Sequence, residues 1–257
     1  MKIYHSFWEH GWNNLNEDLY NLHKLSVLTA LKSYGNITLI TTEKGKEFLG
    51  DLPYTNIELF EEEIPIYLKD VWSISKLYAY QQITKKEEPF FHIDYDVFLF
   101  KKLPDWFESG DVCVQHIENY IKGVYNTDIF FKKCPNKYLA KEEILQAYNM
   151  GIFGGNNLIA ISNYIKDSFK LLYDVDNLKE YWLKDLNTNH CSKAVILEQW
   201  YLVYSLKSNN ITITTLLDEN NDINEQANKL GYCHVWGAKS DEVIKEKIKK
   251  KIKNYIL

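Results

Sequence analysis

Apolar positions along the chain recur at two spacings, one suited to helices and one to strands. Lys2-Ile3-Tyr4 reads as a brief first strand running into a loop at Ser6-Phe7-Trp8. From Glu17 to Tyr34, Leu22, Leu25, Val27, Leu28 and Leu31 form a helical stripe that stops at Gly35, a residue suited to a C-cap. Ile37 to Thr41 and Thr55 to Phe60 predict two strands, and Val71 to Ile83 predicts a helix with Trp72, Leu77 and Tyr80 facing inward. The run from Phe90 to Phe100 is apolar almost throughout, as suits one strand buried on both faces of a parallel sheet. Two carboxylates interrupt it near the middle. Val112 to Gln115 predicts a further strand, and the glycine-rich stretch Asn149 to Gly155 leads into a helix from about Ile159 to Tyr173. Val195 to Leu206 predicts another helix and Ile211 to Leu217 a late strand. No linker and no internal repeat divides the pattern. The alternation predicts one α/β domain over residues 1–240, with a mainly parallel central sheet flanked by helices.

The last segment, Ser240 to Leu257, has a different pattern. Val243, Ile244, Ile248 and Ile252 fall at helical spacing among six Lys and three acids, so residues 241–257 predict a Lys-rich amphipathic helix. Its Ile stripe suits packing on the body, or a peripheral contact with anionic lipid.

Composition narrows the chemistry. The chain has 257 residues, 46% hydrophobic and 25% charged, which is ordinary for a globular protein with a sizeable core. All 30 basic residues are Lys. Without Arg there is no bidentate fork for carboxylate or phosphate, so any anion must meet Lys, a metal or backbone N–H groups. A net charge of −5 does not favour nucleic acid. The cysteines Cys113, Cys134, Cys191 and Cys233 form no CxxC, and no signal-peptide pattern opens the sequence, which together predict reduced thiols in the cytoplasm. A zinc quartet from His190-Cys191 and Cys233-His234 is disfavoured, because adjacent residues rarely chelate one ion with good geometry. No apolar run approaches the length of a membrane span.

Asp94 and Asp96 are the leading candidates for chemistry. Two apart on a strand they share a face, and their hard oxygens suit Mg²⁺ or Mn²⁺. Carboxylates inside so apolar a run need a cation or a capping role. A second pair, Asp174 and Asp176, ends a helical pattern and reads as solvated. Asp218-x-Asn220-x-Asp222 fails as a calcium loop, since Ile223 and Lys229 stand where Gly and Glu are required. The glycines at 151, 154 and 155 make neither GxGxxG nor a P-loop, and no GxSxG is present.

Five pieces of sequence, in order, resemble the nucleotide-sugar core of glycogenin-type glycosyltransferases, retaining enzymes of the GT-A fold. They are Asp70-Val-Trp-Ser-Ile-Ser-Lys76-Leu-Tyr-Ala-Tyr; Phe91-His-Ile-Asp94-Tyr-Asp96-Val-Phe-Leu; Asn149-Met-Gly151-Ile-Phe; Glu198-Gln199; and Cys233-His234-Val-Trp-Gly237-Ala-Lys239. The resemblance implies a metal held by Asp94, Asp96 and His234, with Lys76 and Lys239 on the nucleotide diphosphate. It implies Asn149, Gly151, Glu198 and Gln199 around the donor sugar and acceptor, Ser6 to Trp8 near the nucleobase, and Tyr95 and Gly237 in the nucleotide site. The activity implied is a UDP-sugar-dependent hexosyltransferase needing Mn²⁺ or Mg²⁺, acting on a glycan or lipid-linked oligosaccharide. Such an enzyme would be cytoplasmic or peripheral at the inner face of a membrane. Glu stands at 198 where the family has Asp, and one residue instead of two separates Gly237 from Lys239. These departures motivate the alternative of a non-catalytic nucleotide- or glycan-binding protein on the same fold.

Overall fold

The computed structural model describes residues 1–12, 14–119, 146–173 and 191–256. The pair Asp174/Asp176, His190 and Cys134 lie outside them. The first strand, β1 (Lys2–Phe7), is longer than its pattern suggests, so Ser6 belongs to the strand and only Trp8 to the loop. α1 (Glu17–Tyr34) starts where the Asn16 side chain accepts from the Leu19 N–H, and it stops at Gly35 in the left-handed geometry (φ 71°). β2 (Thr38–Thr41), α2 (Glu43–Leu49), β3 (Asn56–Leu59) and α3 (Ile74–Thr84) follow. Next come β4 (Phe90–Ile93), β5 (Val97–Leu99), the short α4 (Asp105–Glu108) and β6 (Val112–Asn119). β7 (Gln146–Gly155) and α5 (Leu158–Leu172) precede α6, residues 191–208, which widens to a π-turn at Ile196–Trp200. β8 (Ile213–Thr215), α7 (Ile223–Leu230), β9 (Tyr232–His234) and α8 (Glu242–Ile256) complete the described chain.

Seven strands form one mixed, mostly parallel sheet in the order β3-β2-β1-β4-β7-β6-β8. β3, β2, β1 and β4 run parallel, β7 is antiparallel to both neighbours, and β8 is parallel to β6. Side-chain alternation divides the core cleanly. Tyr4 and Phe90 go to the face covered by α3, α5 and α6, with Leu77, Tyr80, Tyr164 and Trp200. Ile3 and Phe91, one residue along, go to the opposite face with Val27, Phe107 and Ile152. Burial on both faces explains why these strands read as unbroken apolar runs.

The structure corrects one expectation and decides between two others. The run from Phe90 to Phe100 is not one strand: β4 belongs to the large sheet, and β5 pairs with β9 in a separate two-stranded sheet. The chain switches sheets at Asp94-Tyr95-Asp96, because two carboxylates fit a turn at a sheet edge and not the interior of a fully buried strand. The Asn149–Gly155 stretch forms the C-terminal part of β7. Of the two uses open to the Ile stripe of α8, the structure takes packing on the body. Ile248 and Ile252 are buried against Leu22 and Leu25 of α1 and Phe98 of β5, so the lysine face, not the apolar one, is what α8 offers to an outside surface. Among the described residues no helix is long and apolar enough to cross a membrane.

Candidate functional site

Ligand sites in open α/β sheets gather at the carboxyl ends of parallel strands, and here those of β1 and β4 lie side by side. Leaving β4, the chain turns through Asp94-Tyr95-Asp96, with the Val97 N–H donating to the Asp94 carbonyl at 2.9 Å. β5 then sets Val97 opposite His234 of β9, and the Val235 N–H donates to the Asp96 carbonyl at 3.1 Å. Backbone register thereby brings Asp94, Asp96 and His234 together, their ligand atoms all within 4.8 Å of one another.

The neighbours of this trio suit a divalent cation. His234 Nδ1 lies 2.7 Å from Gln115 Oε1, which also accepts from the Tyr232 hydroxyl at 2.6 Å. An amide oxygen only accepts, so Nδ1 carries a proton, and Nε2 faces Asp96 Oδ1, 3.5 Å away. A cation seated between Nε2 and Oδ1 would be met from both sides. Asp94 Oδ1 and both Asp96 oxygens are buried, and among the described residues they meet Lys76, Lys239 and His234. Two carboxylates and one imidazole form a donor set that fits Mn²⁺ or Mg²⁺. Gly151 makes this closure feasible: a Cβ there would stand 2.5 Å from both His234 Nδ1 and Gln115 Oε1.

A lysine flanks each carboxylate. Lys76 of α3 places Nζ 2.6 Å from Asp94 Oδ1 and 2.9 Å from Glu198 Oε1. Burial acts to lower its pKa, but the two carboxylates outweigh burial and hold it raised. Lys239 places Nζ 2.8 Å from Asp96 Oδ2 and 2.7 Å from the Tyr95 hydroxyl. Burial works against the Asp96 carboxylate too, yet His234 and Lys239 hold its carboxyl well below the usual range. Tyr95 is pushed up to about 12 by burial. Its ring stacks on His23, 5.0 Å away between centroids, and His23 and His5 share the Tyr54 hydroxyl beneath the turn.

Glu198 sits in the π-turn of α6 and is fully buried. The Tyr164 hydroxyl donates to its carbonyl at 3.0 Å, satisfying a backbone group that the wider turn releases. Burial pushes the Glu198 carboxyl up to about 7, with Lys76 pulling the other way.

Above these groups opens a cleft of about 470 Å³. Eleven of the thirteen residues selected from sequence line it: Ser6, Trp8, Lys76, Asp94, Tyr95, Asn149, Gly151, Gln199, His234, Gly237 and Lys239. Asp96 and Glu198 do not. Both lie in the layer beneath, and Glu198, expected near the donor sugar, instead spends one carboxylate oxygen on Lys76. Asn149 donates to Glu118 Oε1 at 2.7 Å and accepts from the Gly151 N–H at 3.0 Å, while Ser6 Oγ pairs with His92 Nε2 at 2.9 Å. Sequence reasoning did not select Gln115, Trp12, Trp72 or Trp236, although all four belong to the site. The one available signal for Gln115 was a polar amide closing an apolar strand. Trp72 was expected in the core stripe of its helix, and Trp12 and Trp236 lay outside any stripe.

The family model described as "Family of unknown function (DUF6734)" matches residues 1–256. No curated protein matches the chain in sequence at a significant level. Among solved structures, the apo crystal structure of mouse xyloside xylosyltransferase 1 is similar in shape. It is 10% identical over 84% of this chain and 85% of that chain, with a TM-score of 0.40.

Proposed function

The chain belongs to the DUF6734 family of unknown function, and from that premise we propose that it is a metal-dependent glycosyltransferase of the GT-A type. The observation that carries the reading is the convergence of Asp94, Asp96 and His234 on one point in a cleft also reached by Lys76 and Lys239. In this reading residues 1–240 form the transferase domain, the donor is a UDP-sugar and the acceptor a glycan or lipid-linked oligosaccharide. The glycogenin resemblance implies retention of configuration. During transfer the bond between the sugar's anomeric carbon and the diphosphate oxygen breaks, and its electron pair leaves with the UDP. The acceptor hydroxyl oxygen bonds to that carbon, and its proton passes to the departing diphosphate. A bound Mn²⁺ or Mg²⁺ supplies charge to the leaving diphosphate.

The chain's own residues do the remaining work. Asp94, Asp96 and His234 hold the cation, and Gln115 fixes the His234 tautomer. Lys76 and Lys239 pair with the diphosphate, Ser6, Trp8, Tyr95 and Gly237 contact the nucleotide, and Asn149, Gly151 and Gln199 face the sugar. Charge bookkeeping supports the metal's part. Asp94, Asp96 and ionised Glu198 give −3 against +2 from the two lysines, a net of −1 that a divalent ion reverses to +1.

The burial of Glu198 favours a second reading, a nucleotide- or glycan-binding protein without turnover, because a carboxylate committed to Lys76 does not reach the cleft. Release of UDP from intact UDP-sugars separates the two. The transferase reading expects metal-dependent release, abolished by Asp94→Ala and by Asp96→Ala. Tight UDP-sugar binding with no release across donors and saccharide acceptors favours the second reading.

A further inference from the structure

We propose that Trp236 is the acceptor platform of the cleft, a bare indole on which the apolar face of a pyranose ring stacks, so that the acceptor group is a saccharide. The proposal rests on the glycosyl-transfer reading above. Six Phe, Trp and Tyr side chains line the cleft, and the protein itself occupies five of them. Trp8 is buried edge-on to His10. Phe7 stacks on Trp12, whose other contact is the edge of Tyr95. Trp72 lies under the Lys76 ammonium, and Tyr95 is held between His23 and Lys239. Trp236 differs from all of these. It is 63% exposed, and among the described residues it has no ring or cation partner.

An indole left in water forgoes about 2–3 kcal/mol of burial, a loss recovered when a ligand covers it. The backbone holds this one rigidly. Trp236 occupies a turn closed by the Ala238 N–H donating to the Val235 carbonyl at 3.1 Å, and Gly237 supplies the left-handed geometry (φ 73°) that the turn requires. The Val235 N–H donates to the Asp96 carbonyl, so the turn is fastened to the metal-binding loop. Trp236 is also two residues from His234 and three from Lys239. The backbone that carries the platform is thus fixed relative to the reacting centre. A pyranose matches it, since one face of the ring is a patch of C–H groups while its edge carries hydroxyls. Asn149, Gln199 and Ser240 are polar residues lining the same cleft. A nucleobase is the competing occupant, but a bare lip suits a partner arriving from bulk better than a base that needs walls.

The test uses the full chain with Mn²⁺ and UDP, titrated with lactose, maltose, cellobiose and chitobiose and read by calorimetry and indole fluorescence. At least one saccharide binds the wild type, Trp236→Ala weakens it about tenfold, roughly 1.4 kcal/mol, and Trp236→Phe stays within about twofold. UDP affinity moves less than about twofold in both variants, and circular dichroism confirms that both remain folded. Saccharide binding indifferent to Trp236→Ala, or no binding by any of the four sugars, overturns the proposal. So does a loss confined to UDP, which makes Trp236 a base platform. If the wild type binds no UDP at all, the transferase reading fails instead, and Trp236-dependent saccharide binding identifies a glycan-binding site in its own right.

Discussion

Lys76 and Lys239 carry the same ammonium group, and each meets one carboxylate of the Asp94–Asp96 pair, yet the fold embeds them differently. Lys76 rises from α3 inside the core, its side chain 11% exposed, between Asp94 and a Glu198 with no exposure. Lys239 hangs from the C-terminal strip, its side chain 36% exposed, against Asp96 and the face and hydroxyl of Tyr95. Burial decides what each charge is for. A buried cation between two carboxylates cannot be removed without leaving uncompensated charge, so its role in folding and its role toward a ligand are bound together. A cation 36% exposed can be removed with water filling in on its open side, and a metal on Asp96 then balances the buried carboxylate it leaves, so its ligand role stands apart.

Replacing Lys76 is the strongest way to break this contrast. Lys76→Met is expected to cost about 3–5 kcal/mol in urea unfolding, and adding Glu198→Gln to recover part of that loss, because the orphaned carboxylate is then gone. If Lys76→Met is neutral, the two lysines are equivalent and the contrast fails.

The acid limb of stability comes next. Burial lowers the His5 imidazole to about 3 and holds those of His23 and His92 far below the ordinary value of 6.5, so only the unfolded chain takes up these three protons as pH falls through 6.5. Stability is therefore lost below that pH. Glu198 acts in the opposite sense: its folded value of about 7 lies above the ordinary 4.5, so its contribution is full below 4.5 and lost as pH rises through 7. Between these limits the unfolded chain binds a net two more protons, a slope of about 2.7 kcal/mol per pH unit in thermal or urea unfolding. His23→Phe should flatten that slope by about one proton.

The seam between α1 and α8 provides a control remote from charge. Ile252→Ala should cost about 2 kcal/mol through lost burial while leaving Mn²⁺ and UDP affinities unchanged. An effect on UDP would mean that α8 reports to the cleft. The smallest stability effect belongs to Lys239→Met, within about 1 kcal/mol in the presence of Mn²⁺, although UDP affinity should fall about tenfold.

Part of this was legible in the residues. Asn16 and Gly35 bracket α1 by local chemistry that needs no tertiary context, and Asp94 and Asp96 announce themselves as charges in an apolar run. Hydrophobicity could not reveal that the run changes sheets, since β4 and β5 are equally buried on either side of the turn. Glycine content at 151–155 does not advertise a strand, because these glycines serve close approach. Gly151 admits His234, and a Cβ at Gly154 would stand 1.9 Å from the Phe90 carbonyl oxygen. The position of Glu198 depends on a π-turn and on the reach of Lys76, neither of which has a periodic signature. The short helices α2 and α7 were absent from the pattern reading as well; α7 has no buried residue and so no apolar stripe to display.

The central claim is that a chain without arginine binds a nucleotide diphosphate only through a divalent ion held by Asp94, Asp96 and His234. Calorimetric titration of UDP, with Mn²⁺ and again with the metal chelated, tests it most directly. The account predicts clear binding with Mn²⁺ and a loss of at least about a hundredfold without it, with Asp96→Ala matching the chelated protein even when Mn²⁺ is present. UDP affinity indifferent to Mn²⁺ and to Asp96→Ala would contradict it.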